Sequence, residues 1–110
     1  MDLILVVCGA GASSTFLASR IRSLATERGL DLTARAASNL DVSARLADAT
    51  VLLVGPHLEA DFPELQAEAA GHSVPAGLLS PTAFGPEGAT DALEQALVLL
   101  NSTNEGSVNA

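Results

Sequence analysis

The order of apolar and polar positions divides the chain into short apolar runs and amphipathic stretches that alternate. Leu3 to Val7 is continuously apolar and short, the pattern of a strand buried on both faces of a parallel sheet. Gly9 and Gly11 end it. From Ser14 the period turns helical: Leu17, Ile21 and Leu24 are four and three apart, and Ala18 and Ala25 widen the stripe. Gly29 stands where a C-terminal cap belongs. Leu30 to Ala37 alternates weakly and predicts a second strand, after which Asn39 or Asp41 caps a short helix built on Val42 and Leu46. Val51-Leu52-Leu53-Val54 repeats the buried-strand signature, and Gly55-Pro56 stops it. Leu58, Phe62, Leu65 and Ala69 mark a further helical stripe, in which Pro63 sets the start of the regular helix after an irregular turn. Gly71 ends that element. Val74 to Leu79 predicts a fourth strand, Ser80-Pro81 opens a loop running through Phe84-Gly85-Pro86 to Gly88, and a last helix follows from Thr90 or Asp91 with Leu93, Leu97 and Leu100 facing inward.

Strand and helix thus alternate four times with no hairpin signal between them, which predicts an α/β fold: an open four-stranded parallel sheet with helices on both faces. No repeat, low-complexity tract or linker splits the chain, so residues 1–101 read as a single domain and 102–110 as a flexible polar tail. A chain of 110 residues buries roughly two-thirds of the surface its unfolded form exposes, enough for one core. Aromatic residues are only 3% of the chain, so Leu, Val and Ala must fill that core.

Charge narrows the function classes. Thirteen acids stand against five arginines and no lysine, a formal charge of -8. Nucleic acid and anionic membrane surfaces are repelled by such a field, and an anionic ligand is held only where local dipoles overcome it. No apolar run approaches the ~20 residues of a membrane helix, and no basic segment precedes the first apolar run. A single cysteine forbids an internal disulfide and a thiolate zinc site, and His57 and His72 lie far from it in sequence, so no metal and no cofactor is expected. A reducing, cytoplasmic setting fits best.

In parallel α/β folds ligands bind beyond the carboxyl ends of the strands, where Cys8 and Gly55-Pro56-His57 both fall. A strand ending at Cys8, a glycine-bearing turn and a helix starting near Ser14 aim several unpaired N–H groups into one concavity suited to an anion. The helix terminus also favours the thiolate form of a nearby cysteine. Gly9 and Gly11 allow a close approach that a side chain would obstruct. Ser13, Ser14 and Thr15 supply one N-cap and further donors. Three readings compete: a packed thiol, a nucleotide-binding loop, and a nucleophile that carries a phosphoryl group. A packed thiol gains nothing from flanking glycines. The dinucleotide fingerprint G-x-G-x-x-G is broken, because serine occupies position 14 where its third glycine belongs. A low-molecular-weight tyrosine phosphatase loop shares the cysteine-strand-helix layout but requires an arginine at that same position, as a fixed cation for the transition state. Arg20 and Arg22, roughly two turns into the helix at ~1.5 Å per residue, read as solvated surface charges.

The run Cys8-Gly9-Ala10-Gly11-Ala12-Ser13-Ser14-Thr15, with Val51-Leu52-Leu53-Val54-Gly55-Pro56-His57 and Phe62-Pro63-Glu64-Leu65-Gln66, resembles the enzyme IIB components of the lactose/cellobiose/chitobiose branch of the bacterial sugar phosphotransferase system. The resemblance implies the three-layer arrangement of the low-molecular-weight tyrosine phosphatases. It implies further that Cys8 is a phosphocysteine, that residues Gly9 to Thr15 form the phosphate loop, and that Gly55, Pro56 and His57 are its neighbours. The partners it implies are a IIA component, whose phosphohistidine is the donor, and a membrane IIC component that holds the accepting sugar, a β-linked disaccharide. The alternatives are a phosphatase-like hydrolase and a noncatalytic regulatory module.

Other candidates read more simply. His57 either approaches the Cys8 loop or is a solvated loop histidine, the commoner case. His72 has no acid-base partner in the sequence. Asp61, Glu64 and Glu68 form the solvated face of the third helix. Phe84-Gly85-Pro86 reads as an apolar anchor under the long connection, and Asn101-Ser102-Thr103 matches a glycosylation pattern that has no meaning in a cytoplasmic protein.

Overall fold

The computed structural model of the chain describes residues 2–7, 11–38, 41–83, 85 and 87–109, the side chains of 11–14 and 102–109 excepted. Four strands, β1 (Asp2–Val7), β2 (Leu32–Ala37), β3 (Val51–Val54) and β4 (Ala76–Leu78), form one parallel sheet in the order β2-β1-β3-β4. The helices are α1 (Gly11–Glu27), α2 (Val42–Arg45), α3 (Phe62–Ala70) and α4 (Gly88–Asn109), with short 3-10 segments at Leu46–Asp48 and Pro56–Asp61.

The sheet is the middle of three layers because its strands alternate between two cores. Ile4, Val6, Val51 and Leu53 pack with Leu17, Ile21 and Leu93, the apolar stripes of α1 and α4. Leu5, Val7, Leu52 and Val54 pack on the other face with Val42, Leu46, Leu65 and Ala69 of the α2 and α3 side. Every residue of β3 is buried, as expected of an apolar run with no polar alternation.

Helix ends show which residues the backbone depends on. Gly29 takes a positive φ of 67°, its N–H bonds to the Thr26 carbonyl, and that of Leu30 reaches back to Ala25. This is a Schellman motif, and it explains the glycine at that position. α3 ends before Gly71, as expected, and the same bonding recurs after it with Ser73, at φ 60°, as the left-handed residue. Gly71 keeps right-handed helical angles.

Three boundaries differ from the sequence expectation. α1 begins at Gly11, three residues before Ser14, and small residues such as these carry no strong signal for where a first helical turn begins. Asp41 precedes α2 without a side-chain cap bond; its carboxylate accepts instead from the Ser38 hydroxyl, at 3.2 Å. Asn39 lies outside the described residues. α4 starts at Gly88 and runs on through the polar stretch to Asn109, where no proline interrupts it. Gly88 is required at that start: a Cβ there would stand 1.7 Å from the Ala83 carbonyl oxygen.

Candidate functional site

The chain leaves β1, crosses to β2 on one side, and returns to β3 on the other, so the sheet reverses its winding between β1 and β3. A crevice opens at such a point beyond the carboxyl ends of the strands. Val7 pairs with Val54 at those ends, and the Gly55 N–H donates to the Val7 carbonyl oxygen at 2.7 Å. The backbone at the end of β3 is thereby tied to the residue immediately before Cys8. Gly55 is buried, Pro56 half-buried and His57 exposed, in a 3-10 segment that turns the chain towards α3.

Cys8, Gly9 and Ala10 lie outside the described residues. They join the end of β1 directly to the first residue of α1, Gly11. The N–H groups of Gly11, Ala12, Ser13 and Ser14 are therefore the four that a helix leaves without intrahelical acceptors. They carry the positive end of a macrodipole of about half a unit charge. The earlier start of α1 corrects the capping role expected of Ser13, Ser14 and Thr15: all three are within the helix, and Thr15 is exposed.

The rim continues on both sides. Ser38 follows β2, and beyond β4 the Ser80 and Thr82 hydroxyls are 2.6 Å apart, with the Thr82 N–H bonded to the Ser80 hydroxyl at 3.0 Å. In the sequence Ser80 marks only the opening of a loop, and nothing there singles out Thr82. The same holds for Phe16, which is 60% exposed on α1 with the Arg20 guanidinium 5.7 Å from its ring centre. Arg20 and Arg22 are exposed, as expected, and Arg22 in addition donates to the Ala34 carbonyl oxygen. Asp61, Glu64 and Glu68 are exposed on α3 as expected, with Glu68 accepting from the Ser43 hydroxyl across to α2. His72 is exposed, and Phe84 and Pro86 lie outside the described residues.

Among the described residues no group of three His, Cys, Asp or Glu side chains is gathered for a metal ion. No helix among them is long and apolar enough to cross a membrane.

Comparison with known proteins agrees with this geometry. Residues 3–84 match the family model of the lactose/cellobiose-specific IIB subunit of the phosphotransferase system. The fold is similar to that of the lactose-specific IIB domain from Streptococcus pneumoniae, with a TM-score of 0.74 and 16% identity over 89% of this chain and 96% of that one. It is similar too to the cellobiose-specific IIB component from Borrelia burgdorferi, with a TM-score of 0.75 and 24% identity over 93% of this chain and 94% of that one. No curated protein matches the chain in a comparison by sequence.

Proposed function

The chain belongs to the lactose/cellobiose-specific IIB family, and with it to the machinery of sugar phosphotransfer, and from that premise we propose that it is a cytoplasmic carrier that works through a phosphoryl group on Cys8. The observation that supports this reading most directly is positional. Cys8 follows the carboxyl end of β1 at the reversal of the sheet, and three residues later α1 begins with four N–H groups that have no intrahelical acceptor.

In the first step the Cys8 thiolate attacks the phosphorus of a phosphohistidine on the IIA component. The S–P bond forms as the N–P bond breaks, and the imidazole leaves with the electron pair. In the second step a hydroxyl of the sugar held by IIC attacks the same phosphorus, the S–P bond breaks, and the thiolate is restored as the hydroxyl proton passes to a base or to water. The chain contributes in-line placement and backbone dipoles that stabilise the charge on the equatorial oxygens. Such dipoles are what an anionic group requires on a chain with a formal charge of -8. Position 14 is serine, so the fixed guanidinium that drives hydrolysis in phosphatases is missing from that place. A carrier benefits, since its phosphoryl group must outlast the search for an acceptor. The accepting sugar is proposed to be a β-linked disaccharide, in line with the lactose- and cellobiose-specific relatives in fold.

Incubation with phosphorylated IIA, followed by mapping of the acid- and base-stability of the adduct and its position, tests the reading. Phosphate on Cys8, absent from Cys8→Ser and chased by sugar in the presence of IIC, is the expected result. Phosphate elsewhere overturns it, as does steady release of phosphate from an aryl phosphate, which marks a hydrolase.

A further inference from the structure

The connection from β2 to β3 is too short to cover the sheet it crosses. It holds one turn of α2 and the 3-10 turn Leu46–Asp48. A turn of helix advances only ~5 Å, whereas six strand residues extend ~20 Å. Beneath it lies a cavity of about 370 Å³ lined by Leu3, Leu5, Arg35, Arg45 and Asp48. Leu5 stands opposite Arg35 in the register of β1 and β2, so both side chains leave the same face of the sheet. Leu5 is fully buried and forms the floor, while Arg35, Arg45 and Asp48 are exposed at the walls. Among the described residues neither guanidinium has an ion-pair partner.

Charge is unevenly spread in a way that favours this cavity as an anion site. All five arginines lie between residues 20 and 45, whereas residues 46–110 carry nine acids and neither arginine nor lysine. Two guanidiniums on one concavity match the oxygens of a phosphoryl group or carboxylate, for which arginine's planar fork is suited. Asp48 narrows the choice. A bare anion meets a repelling carboxylate there, and a neutral sugar leaves both arginines unanswered. A ligand that joins an anionic group to hydrogen-bond donors satisfies all three, and the volume falls at the small-molecule end of ligand pockets, ~300–1,000 Å³.

We propose that this cavity binds a phosphorylated sugar, with its phosphoryl group between Arg35 and Arg45, a ring hydroxyl donating to Asp48, and the apolar ring face against Leu3. An amino acid also offers both charges; the choice of a sugar ester rests on the phosphotransfer reading, in which phosphorylated sugar is the product of the transfer from Cys8. The cavity is a second site, set on the lower part of β1 rather than beyond its carboxyl end.

The test is a titration of the full-length Cys8→Ser chain, labelled with nitrogen-15, against glucose 6-phosphate, inorganic phosphate, glucose and glycine. Glucose 6-phosphate is expected to shift the amides of Leu3, Arg35, Arg45 and Asp48 saturably. Inorganic phosphate should bind at least ~10-fold more weakly and glucose not at all, by the loss of one or other set of contacts. Arg35→Gln and Arg45→Gln should each weaken the ester by ~10-fold or more while leaving the remaining spectrum intact, because both residues are exposed. Asp48→Asn should erode the preference for the ester over phosphate. Shifts confined to residues 11–15, phosphate binding as tight as the ester, or a preference for glycine each overturn the proposal. Because Cys8→Ser carries no phosphoryl group on sulfur, shifts at Leu3, Arg35, Arg45 and Asp48 read the cavity apart from any anion held at residues 11–15, and a failure of transfer through Cys8 is seen separately.

Discussion

Arg22 Nη1 donates to the Ala34 carbonyl oxygen at 2.7 Å. Ala34 belongs to β2, an outer strand of the sheet. Asp2 N–H bonds to the Asp31 carbonyl, so the alternation of a parallel ladder turns odd-numbered residues of β2 towards β1 and the Ala34 carbonyl towards the open edge. The opposite edge is treated alike. Pro75 and Leu79 bond to β3, which leaves the Leu78 carbonyl facing outward, and Gln95 Nε2 of α4 donates to it at 3.0 Å. One side chain from each helix of the same layer thus closes a carbonyl on each edge strand, a device that discourages edge-to-edge pairing.

Arg22→Leu removes that cover from β2 and leaves an apolar residue beside an unpaired carbonyl. Hydrogen bonds from charged groups contribute ~1.5–3 kcal/mol when buried, and partial exposure reduces the expected loss here to about 1 kcal/mol. Self-association is the sharper readout. Sedimentation velocity at rising concentration should show the variant forming dimers or larger species at concentrations where the parent chain stays monodisperse. An unchanged distribution would show that the contact does not protect the edge.

Gly88→Ala addresses the close approach between the start of α4 and the loop before it. The added carbon would stand 1.7 Å from the Ala83 carbonyl oxygen and 2.2 Å from its carbon, both backbone atoms that cannot swing aside. Overpacking of this kind costs about 1–3 kcal/mol or more, and Ala83 and Ala89 are both buried, which leaves little room to relax. Urea unfolding should report a midpoint lowered by the corresponding amount with an unchanged slope. A midpoint equal to that of the parent would mean that the loop moves freely.

Ser73→Gly is expected to stabilise the protein. Ser73 holds φ at 60°, a left-handed conformation that costs a residue with a Cβ about 1–2 kcal/mol and glycine nothing. Part of the gain is offset by the greater freedom of glycine in the unfolded chain, so about 0.5–1 kcal/mol remains. Ser73→Val, which has a branched side chain at the same angle, should move the thermal midpoint in the opposite direction. The pair of variants separates backbone strain from a generic effect of substitution.

The apolar pattern was a good guide to the sheet because β1 and β3 are buried on both faces, and a continuous run such as Val51 to Val54 admits few other placements in a chain of this length. Pro63 and the stripe Leu58, Phe62, Leu65 and Ala69 located α3 for a similar reason. Three kinds of feature escaped. Ser73 was missed because serine carries no signal for a positive φ, whereas the nearby Gly71 does. The start of α1 was misplaced because glycine and alanine fit a loop or a first helical turn equally well. Arg22 and Arg20 are exposed as the sequence predicts, but the bond Arg22 donates and the contact of Arg20 with Phe16 depend on the distance from α1 to β2 and on one helical turn, and no letter records either. At the site, the strand-to-helix placement around Cys8 was legible, and the bond from Gly55 to Val7, which depends on strands distant in sequence being neighbours, was not.

Position 14 gives the carrier reading its most discriminating test. It lies in the first turn of α1, four residues into the helix, and a phosphatase of similar layout places an arginine there. If Ser14 is what keeps the Cys8 phosphoryl group from rapid hydrolysis, Ser14→Arg should shorten its lifetime. A fixed guanidinium stabilises the charge that develops on the equatorial oxygens when water attacks, and loss of one preorganised donor in other enzymes changes rates by ~100-fold or more. A single substitution without the rest of a phosphatase site should recover only part of that, so a shortening of about 10-fold is expected. The measurement is the decay of radiolabel from the isolated phosphorylated chain at neutral pH, with Ser14→Gln as a variant of similar bulk and no charge. Equal lifetimes for the arginine and glutamine variants would show that the stability of the phosphoryl group has another source, and that the serine at this position does not distinguish carrier from hydrolase.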